Sequence, residues 1–367
     1  MTGMRLLMTA DAVGGVWQYA TDLAEALAPL GVETVLALLG PSPRPAQRRR
    51  AERIGGLTLI DTGLPLDWMA DQPAAVAAAG GVIAELASAE AVDLVQLNMP
   101  TLGARAHFPM PVVAVTHGCV STWWQAAKAE PLGSDYVWHR TMMREGLARA
   151  DFVVAPSAAY GAVIERFYGL PHPPLVVHNG RRALSVPRTT QHDHALTVGR
   201  LWDPVKQARL LDKVAGRLAI PFHAAGADTG PHGERVRLDH LHQFGELDAQ
   251  GIGEALAGRP VFVSAATFEP FGLAVLEAAQ AGCALVLSDI ATFRELWDDA
   301  ALFVSEQTPD AYVRAIESLV GNDAERRRLG AAALKRSRLY TPEAAAGAMS
   351  KIYRALKAAR PAKRKAA

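Results

Sequence analysis

Two glutamates, Glu269 and Glu277, flank the point where a Gly- and Pro-broken loop gives way to an apolar helical run. The stretch reads TFEPFGLAVLEAAQAGC from Thr267 to Cys283. Its Leu, Val and Ala residues from Leu273 to Ala281 favour a helix, and Gly282 supplies the stop. Glu269 lies just before that helix and Glu277 about one and a half turns inside it. Amides at a helix N-terminus suit phosphate oxygens, and carboxylates accept hydrogen bonds from vicinal hydroxyls. The pair therefore points to a phosphorylated sugar. A glutamate that only balances the helix macrodipole is the plainer alternative.

Other residues could share that chemistry. Arg200 and Lys206 flank the segment GRLWDPVK, six residues apart, after a short apolar run. Two cations at a strand's carboxyl end could neutralise a diphosphate; as solvated surface charges they would be unremarkable. His117 ends the apolar run Val112–Thr116, where an imidazole could bond a substrate hydroxyl or carry a proton, or simply cap the strand. Trp123 and Trp124 follow in what reads as a loop. They could stack on a sugar ring or pack under the loop. Gly14 and Gly15 follow the run Arg5–Ala10, and glycine lets a backbone approach phosphate closely.

The elements needed to position these residues are legible in chain order. Strand, Gly loop, helix and second strand (Arg5–Ala10, Val16–Leu30, Val32–Leu39) form a βαβ unit. The alternation continues to Leu175–His178, making one doubly wound domain. Arg181–Asp193, with Pro187 and no periodicity, reads as an interdomain linker. A second alternation runs from the strand Ala195–Val198 through Val261–Ala265 to Ala301–Val304. Three helices close the chain: Pro309–Leu319, Asp323–Tyr340 and Ala344–Ala359. The fold class is α/β, with two parallel-sheet domains.

Composition narrows the function classes. The 367 residues are half hydrophobic, enough for two cores, and the formal net charge of +1 gives no reason to expect nucleic acid. Cys119 and Cys283 are too few for a disulfide framework and suit a reducing compartment. No signal peptide or transmembrane run is evident, so a cytoplasmic protein is expected. The adjacent Arg48, Arg49 and Arg50 and the tail residues Lys363, Arg364 and Lys365 read as solvated charge, with weak peripheral contact to an anionic membrane face as the minority reading. His192 with His194, and His240 with His242, lack partners at zinc-site spacing. Cys119 has no supporting nucleophile signature. There is no GxxxxGK[ST] loop, no GxSxG elbow and no Asp-x-Asp at a strand end, so no metal and no cofactor are expected.

With these residues assembled, the chain resembles the retaining glycosyltransferases of family 4, which have the GT-B architecture: two Rossmann-like doubly wound domains facing a central cleft. GRLWDPVK, FEPFGLAVLEAAQAGC and SDIATFRELWDDAALFV occur in the family's order, and Glu269 and Glu277 match its paired glutamates with seven residues between them. GGVW at Gly14–Trp17, His117, Pro156–Ser157 and His178–Gly180 carry the likeness in the first half. The resemblance implies an acceptor-side domain over residues 1–183, a donor domain over 194–340, and a terminal helix in 341–367 that packs back on the first domain. It implies that Glu269 contacts the donor sugar, Glu277 the ribose, and Arg200 and Lys206 the diphosphate. The backbone at Phe271, Gly272 and Leu273 would hold sugar and phosphate, Gly14 and Gly15 would approach the donor, and His117 would bind the transferring sugar. Trp17, Trp123 and Trp124 fall to the acceptor side. Gly118 and Arg181–Arg182 depart from the family pattern and leave the acceptor hydroxyl unidentified. The expected partner is a nucleotide-diphosphate sugar. A sugar-nucleotide 2-epimerase and a non-catalytic sugar-nucleotide binder are the rival readings.

Overall fold

The computed structural model describes residues 3–128, 130–187, 189–231 and 233–359. They form two compact units. The first takes the chain from its start to Gln125, Glu130–Gly180 and the segment from Thr341; the second takes Arg181–Tyr340 and the short stretch at 126–129. The tail residues Lys363, Arg364 and Lys365 lie outside the described residues.

In the first unit, β1 (Met4–Asp11), α1 (Gly15–Leu27), β2 (Val32–Leu39), α2 (Pro45–Ala51), β3 (Leu57–Leu64), α3 (Pro73–Ala89) and β4 (Leu94–Leu97) are followed by β5 (Val112–Val115) and α4 (Val120–Ala127). Then come α5 (Val137–Arg149), β6 (Phe152–Ala155), α6 (Ala158–Tyr168) and β7 (Leu175–Val176). The strands are parallel, in the order β3-β2-β1-β4-β5-β6-β7. Such a sheet is covered on both faces, and β1 accordingly has Leu6, Leu7 and Met8 all buried. Strand order reverses between β1 and β4, the position at which α/β sheets bind ligands.

The second unit holds β8 (Ala195–Val198), α7 (Ala208–Ala215), β9 (Phe222–Ala225), β10 (His242–Gly245), α8 (Ala249–Leu256), β11 (Val261–Ser264) and α9 (Leu273–Gln280). It ends with β12 (Leu285–Ser288), α10 (Ala291–Trp297), β13 (Ala301–Val304), α11 (Pro309–Val320) and α12 (Asp323–Ser337). Its strands are also parallel, ordered β10-β9-β8-β11-β12-β13, with the reversal between β8 and β11. The last helix, α13 (Pro342–Ala359), returns to the first unit. Its Ala346, Met349 and Tyr353 share a core with Trp17, Leu23 and Leu27 of α1. Among the described residues no helix is long and apolar enough to cross a membrane.

Three details differ from the sequence reading. Trp123 and Trp124 lie on a helix, α4, rather than in a loop; the amide of Trp123 donates to the Cys119 carbonyl at 3.0 Å and starts it. The described residues of segment 181–193 have no regular secondary structure but are held to the second unit: His192 N donates to Gly258 O at 3.0 Å, and Asp193 pairs with the buried Arg326 at 2.7 Å. Two of the adjacent arginines on α2 are engaged by carboxylates of their own unit, Arg48 by Asp61 and Arg50 by the buried Asp22, each at 2.9 Å.

Candidate functional site

The second unit's site is built on its two central strands. The loop after β8 carries Arg200 and Lys206, and the loop after β11 carries Glu269. Asp203 shapes the first loop. Its buried carboxylate accepts from Val205 N at 3.3 Å and from the Arg200 guanidinium at 2.7 Å. Thr267 N donates to Val205 O at 2.9 Å and fastens the two loops together. Gly226, at the end of β9, closes the floor: a Cβ there would lie 1.7 Å from the Gly199 carbonyl oxygen, so only glycine fits.

Lys206 Nζ donates directly to Glu269 Oε2, and both side chains are about four-fifths buried, 21% and 18% exposed. A cation and a carboxylate thus stand at the strand ends, ready for exchange with an anionic, hydroxyl-bearing ligand. Gly272 sits in the left-handed region at φ +93° and caps α9. A Cβ on it would lie 3.3 Å from Glu269 Cγ and 3.2 Å from the Phe293 ring. The first α9 bond runs from Leu276 N to Gly272 O, so the amides of Leu273, Ala274 and Val275 have no carbonyl within the helix. The Phe271 side chain is in the core, edge-on to Tyr340, which leaves its backbone at the turn.

Glu277 is placed differently from Glu269. Its Oε1 accepts from Arg181 Nε at 2.6 Å, and the Arg181 side chain is 5% exposed. The Arg181 carbonyl in turn accepts from Gln280 of the same helix at 2.7 Å. A buried guanidinium thus grips the helix face that bears Glu277. Arg200 leans over the Trp202 ring at 5.5 Å, with half its side chain exposed. Lys206, Glu269 and Gly272 are therefore brought together, while Arg200 and Glu277 each hold a separate ion pair.

In the first unit, Asp11 Oδ1 at the end of β1 accepts from Val13 N at 2.8 Å and Gly14 N at 3.1 Å, so the Gly14 amide is engaged within its own loop. Gly15 is exposed and opens α1. His117, half-buried at the end of β5, meets Asn98 Oδ1 through Nε2 at 3.0 Å and packs edge-on to Tyr19 at 4.4 Å. Burial lowers its pKa to about 3, so the ring is neutral near pH 7. Trp124 donates from Nε1 to Pro131 O at 3.0 Å and packs on Tyr136, with Trp123 half-buried beside it. Trp17 is a correction: its side chain is 3% exposed in the core under α1, where it fills space and offers no surface to a ligand.

Sequence reasoning missed Asp203, Arg181 and Asn98 as parts of these arrangements. Arg181 stood out only as a cation where the family pattern has an apolar residue. For Asn98 the available signal was a polar pair, Gln96 inside the otherwise apolar β4 and Asn98 just after it. Among the described residues no three His, Cys, Asp or Glu side chains are grouped to hold a metal ion.

Comparison with known proteins identifies the family and the fold. Residues 13–182 match the family described as Glycosyltransferase Family 4, and residues 234–336 match Glycosyl transferases group 1. No curated protein matches the sequence. Among solved structures, sucrose-phosphate synthase from Thermosynechococcus elongatus superposes with a TM-score of 0.79 at 18% identity, over 97% of this chain and 100% of that one. HepE from Anabaena in complex with UDP-glucose gives 0.75 at 18% identity, over 96% and 100%. WaaG, a glycosyltransferase involved in lipopolysaccharide biosynthesis, gives 0.69 at 15%, over 95% and 100%. With two parallel-sheet Rossmann-like units and both halves matched, the chain belongs to the family 4-like glycosyltransferases of GT-B fold.

Proposed function

We propose that this enzyme transfers a sugar from a nucleoside-diphosphate sugar to a hydroxyl acceptor, with retention at the anomeric carbon and without a metal ion. The observation that carries the reading is the Lys206–Glu269 pair beside the Gly272 cap, at the point where strand order reverses in the second sheet. The UDP-glucose held by HepE supports a donor of this class.

As the glycosidic bond breaks, negative charge grows on the leaving diphosphate. Lys206, Arg200 and the first amides of α9 stabilise that charge more in the transition state than in the ground state, which is what lowers the barrier. Glu269 accepts hydrogen bonds from donor sugar hydroxyls once Lys206 turns to phosphate, and Glu277, steadied by Arg181, accepts from the ribose. Glu269 is taken up by sugar hydroxyls in this reading and is not assigned to the anomeric carbon, so the reaction proceeds by front-face attack, with the donor phosphate taking the acceptor proton. Detection of a glycosyl adduct on Glu269 by mass spectrometry would refute this step. Trp123 and Trp124 serve the acceptor side, so Trp123→Ala changes acceptor use and leaves donor affinity intact.

The test is a thermal-shift screen of UDP-, GDP- and ADP-sugars, followed by NMR of the product's anomeric configuration. Stabilisation by one nucleotide sugar and a retained configuration are expected. An inverted product would remove the retaining assignment.

A further inference from the structure

A chain of buried hydrogen bonds runs from the last helix of the protein to His117, and its polarity can be worked out from one end. Asn98 Nδ2 donates to the Thr9 carbonyl at 2.7 Å, and its backbone amide donates to Thr9 Oγ1 at 3.0 Å. A carbonyl only accepts, so the Asn98 side chain cannot be turned over, and Oδ1 faces the other way. That oxygen meets Gln96 Nε2 at 2.9 Å and His117 Nε2 at 3.0 Å. Both must donate to it. Gln96 therefore presents its amide NH2 to Asn98 and to Tyr19 Oη, the latter at 3.2 Å, and its Oε1 to Tyr353. The Tyr353 hydroxyl completes the chain as a donor to Gln96 Oε1. Gln96 and Tyr353 are fully buried, and burial raises the Tyr353 pKa, so its proton stays in place.

We infer that Asn98, oriented by Thr9 and backed by Gln96 and Tyr353, locks His117 as the neutral Nε2–H tautomer, making it a hydrogen-bond acceptor for a substrate hydroxyl and not a cation for phosphate. Nδ1 has no hydrogen-bond partner among the described residues, so the lone pair that the lock leaves on it is the acceptor the ring presents. Burial is the cause of the low His117 pKa, with no charged neighbour contributing, which keeps the locked ring neutral across the working range. Asn98 is thus a positioning residue that acts through His117. Tyr353 gives α13 a chemical role in the first unit besides its packing. The inference rests on the transferase reading only in taking His117, as the family resemblance implies, for a ligand of the transferring sugar.

The experiment is a long-range proton–nitrogen correlation spectrum of the full chain labelled at histidine nitrogens. The His117 signal is identified by its loss in His117→Gln. The lock predicts a single tautomer, Nε2 protonated and Nδ1 bare, unchanged between pH 8 and about pH 5. A protonated Nδ1, a mixture of tautomers, or titration near the ordinary histidine value would overturn it. Asn98→Asp keeps an acceptor for Nε2–H and adds a negative charge, so the His117 midpoint should rise by about one unit or more. A midpoint that does not move would show that Asn98 only packs. If the variant fails to fold, the wild-type spectrum decides alone. A locked His117 in a protein that binds no nucleotide sugar would sustain this inference and remove the donor reading.

Discussion

Arg181 and Glu277 form an ion pair with much to lose, because both side chains are withdrawn from water, at 5% and 13% exposure. Arg181→Leu removes the guanidinium from a largely buried carboxylate and should cost about 3 kcal/mol, read as a lowered denaturation midpoint. Arg181→Lys keeps the charge but loses the planar donor and should fall between. His117 gives a pH dependence whose sign follows from burial. Its folded pKa, about 3, lies below the ordinary 6.5, so on acidification the unfolded chain takes up the proton first. Its contribution is whole above that value and is lost as pH falls through the window, about 1.4 kcal/mol per unit. Urea denaturation at pH 7 and pH 5 should show a drop that shrinks in His117→Gln; an equal drop in both proteins would assign it elsewhere. At this scale the sequence was least legible. Residue types and spacing singled out Glu269, Glu277, Arg200 and Lys206, but not that Lys206 meets Glu269 while Glu277 meets Arg181. Which cation reaches which carboxylate depends on loop conformations set by Asp203 and by the Thr267–Val205 bond.

Elements were legible wherever local signals agreed. Val32–Leu39 is a strand over the range its apolar run marks, and Ser157 caps α6 by accepting from Tyr160 N at 3.2 Å. The Trp pair was misread because aromatic and β-branched residues are poor helix formers in isolation, and packing overrides that preference in α4. The left-handed cap at Gly272 is the element-scale feature on which the proposed donor site rests. Gly272→Ala forces a Cβ into φ +93° and toward Glu269 and Phe293. It should cost about 1–2 kcal/mol and weaken any ligand at the α9 N-terminus; circular dichroism melting checks the first and calorimetry the second.

At the scale of the molecule, the chain leaves its first unit at Gly180, forms the second, and returns at Thr341 to add α13 to the first core. Gly180 is pressed against this return: a Cβ there would lie 2.1 Å from the Thr341 carbonyl. Ending the chain after Tyr340 removes Ala346, Met349 and Tyr353 from the core under α1, so the truncated protein should lose the cooperative melting of its first unit. Full retention of that transition would make α13 an accessory. The two-unit α/β fold was readable because strand and helix alternate twice with a break in periodicity between.

In the proposed reaction the second unit binds a nucleoside-diphosphate sugar through Lys206 and Glu277. Calorimetric titration of the wild type, Lys206→Ala and Glu277→Ala with the nucleotide sugar found in the screen tests it directly. Measurable binding to the wild type and a loss of about tenfold or more in each variant, equivalent to about 1.4 kcal/mol, are expected. Undiminished affinity in both variants would contradict it.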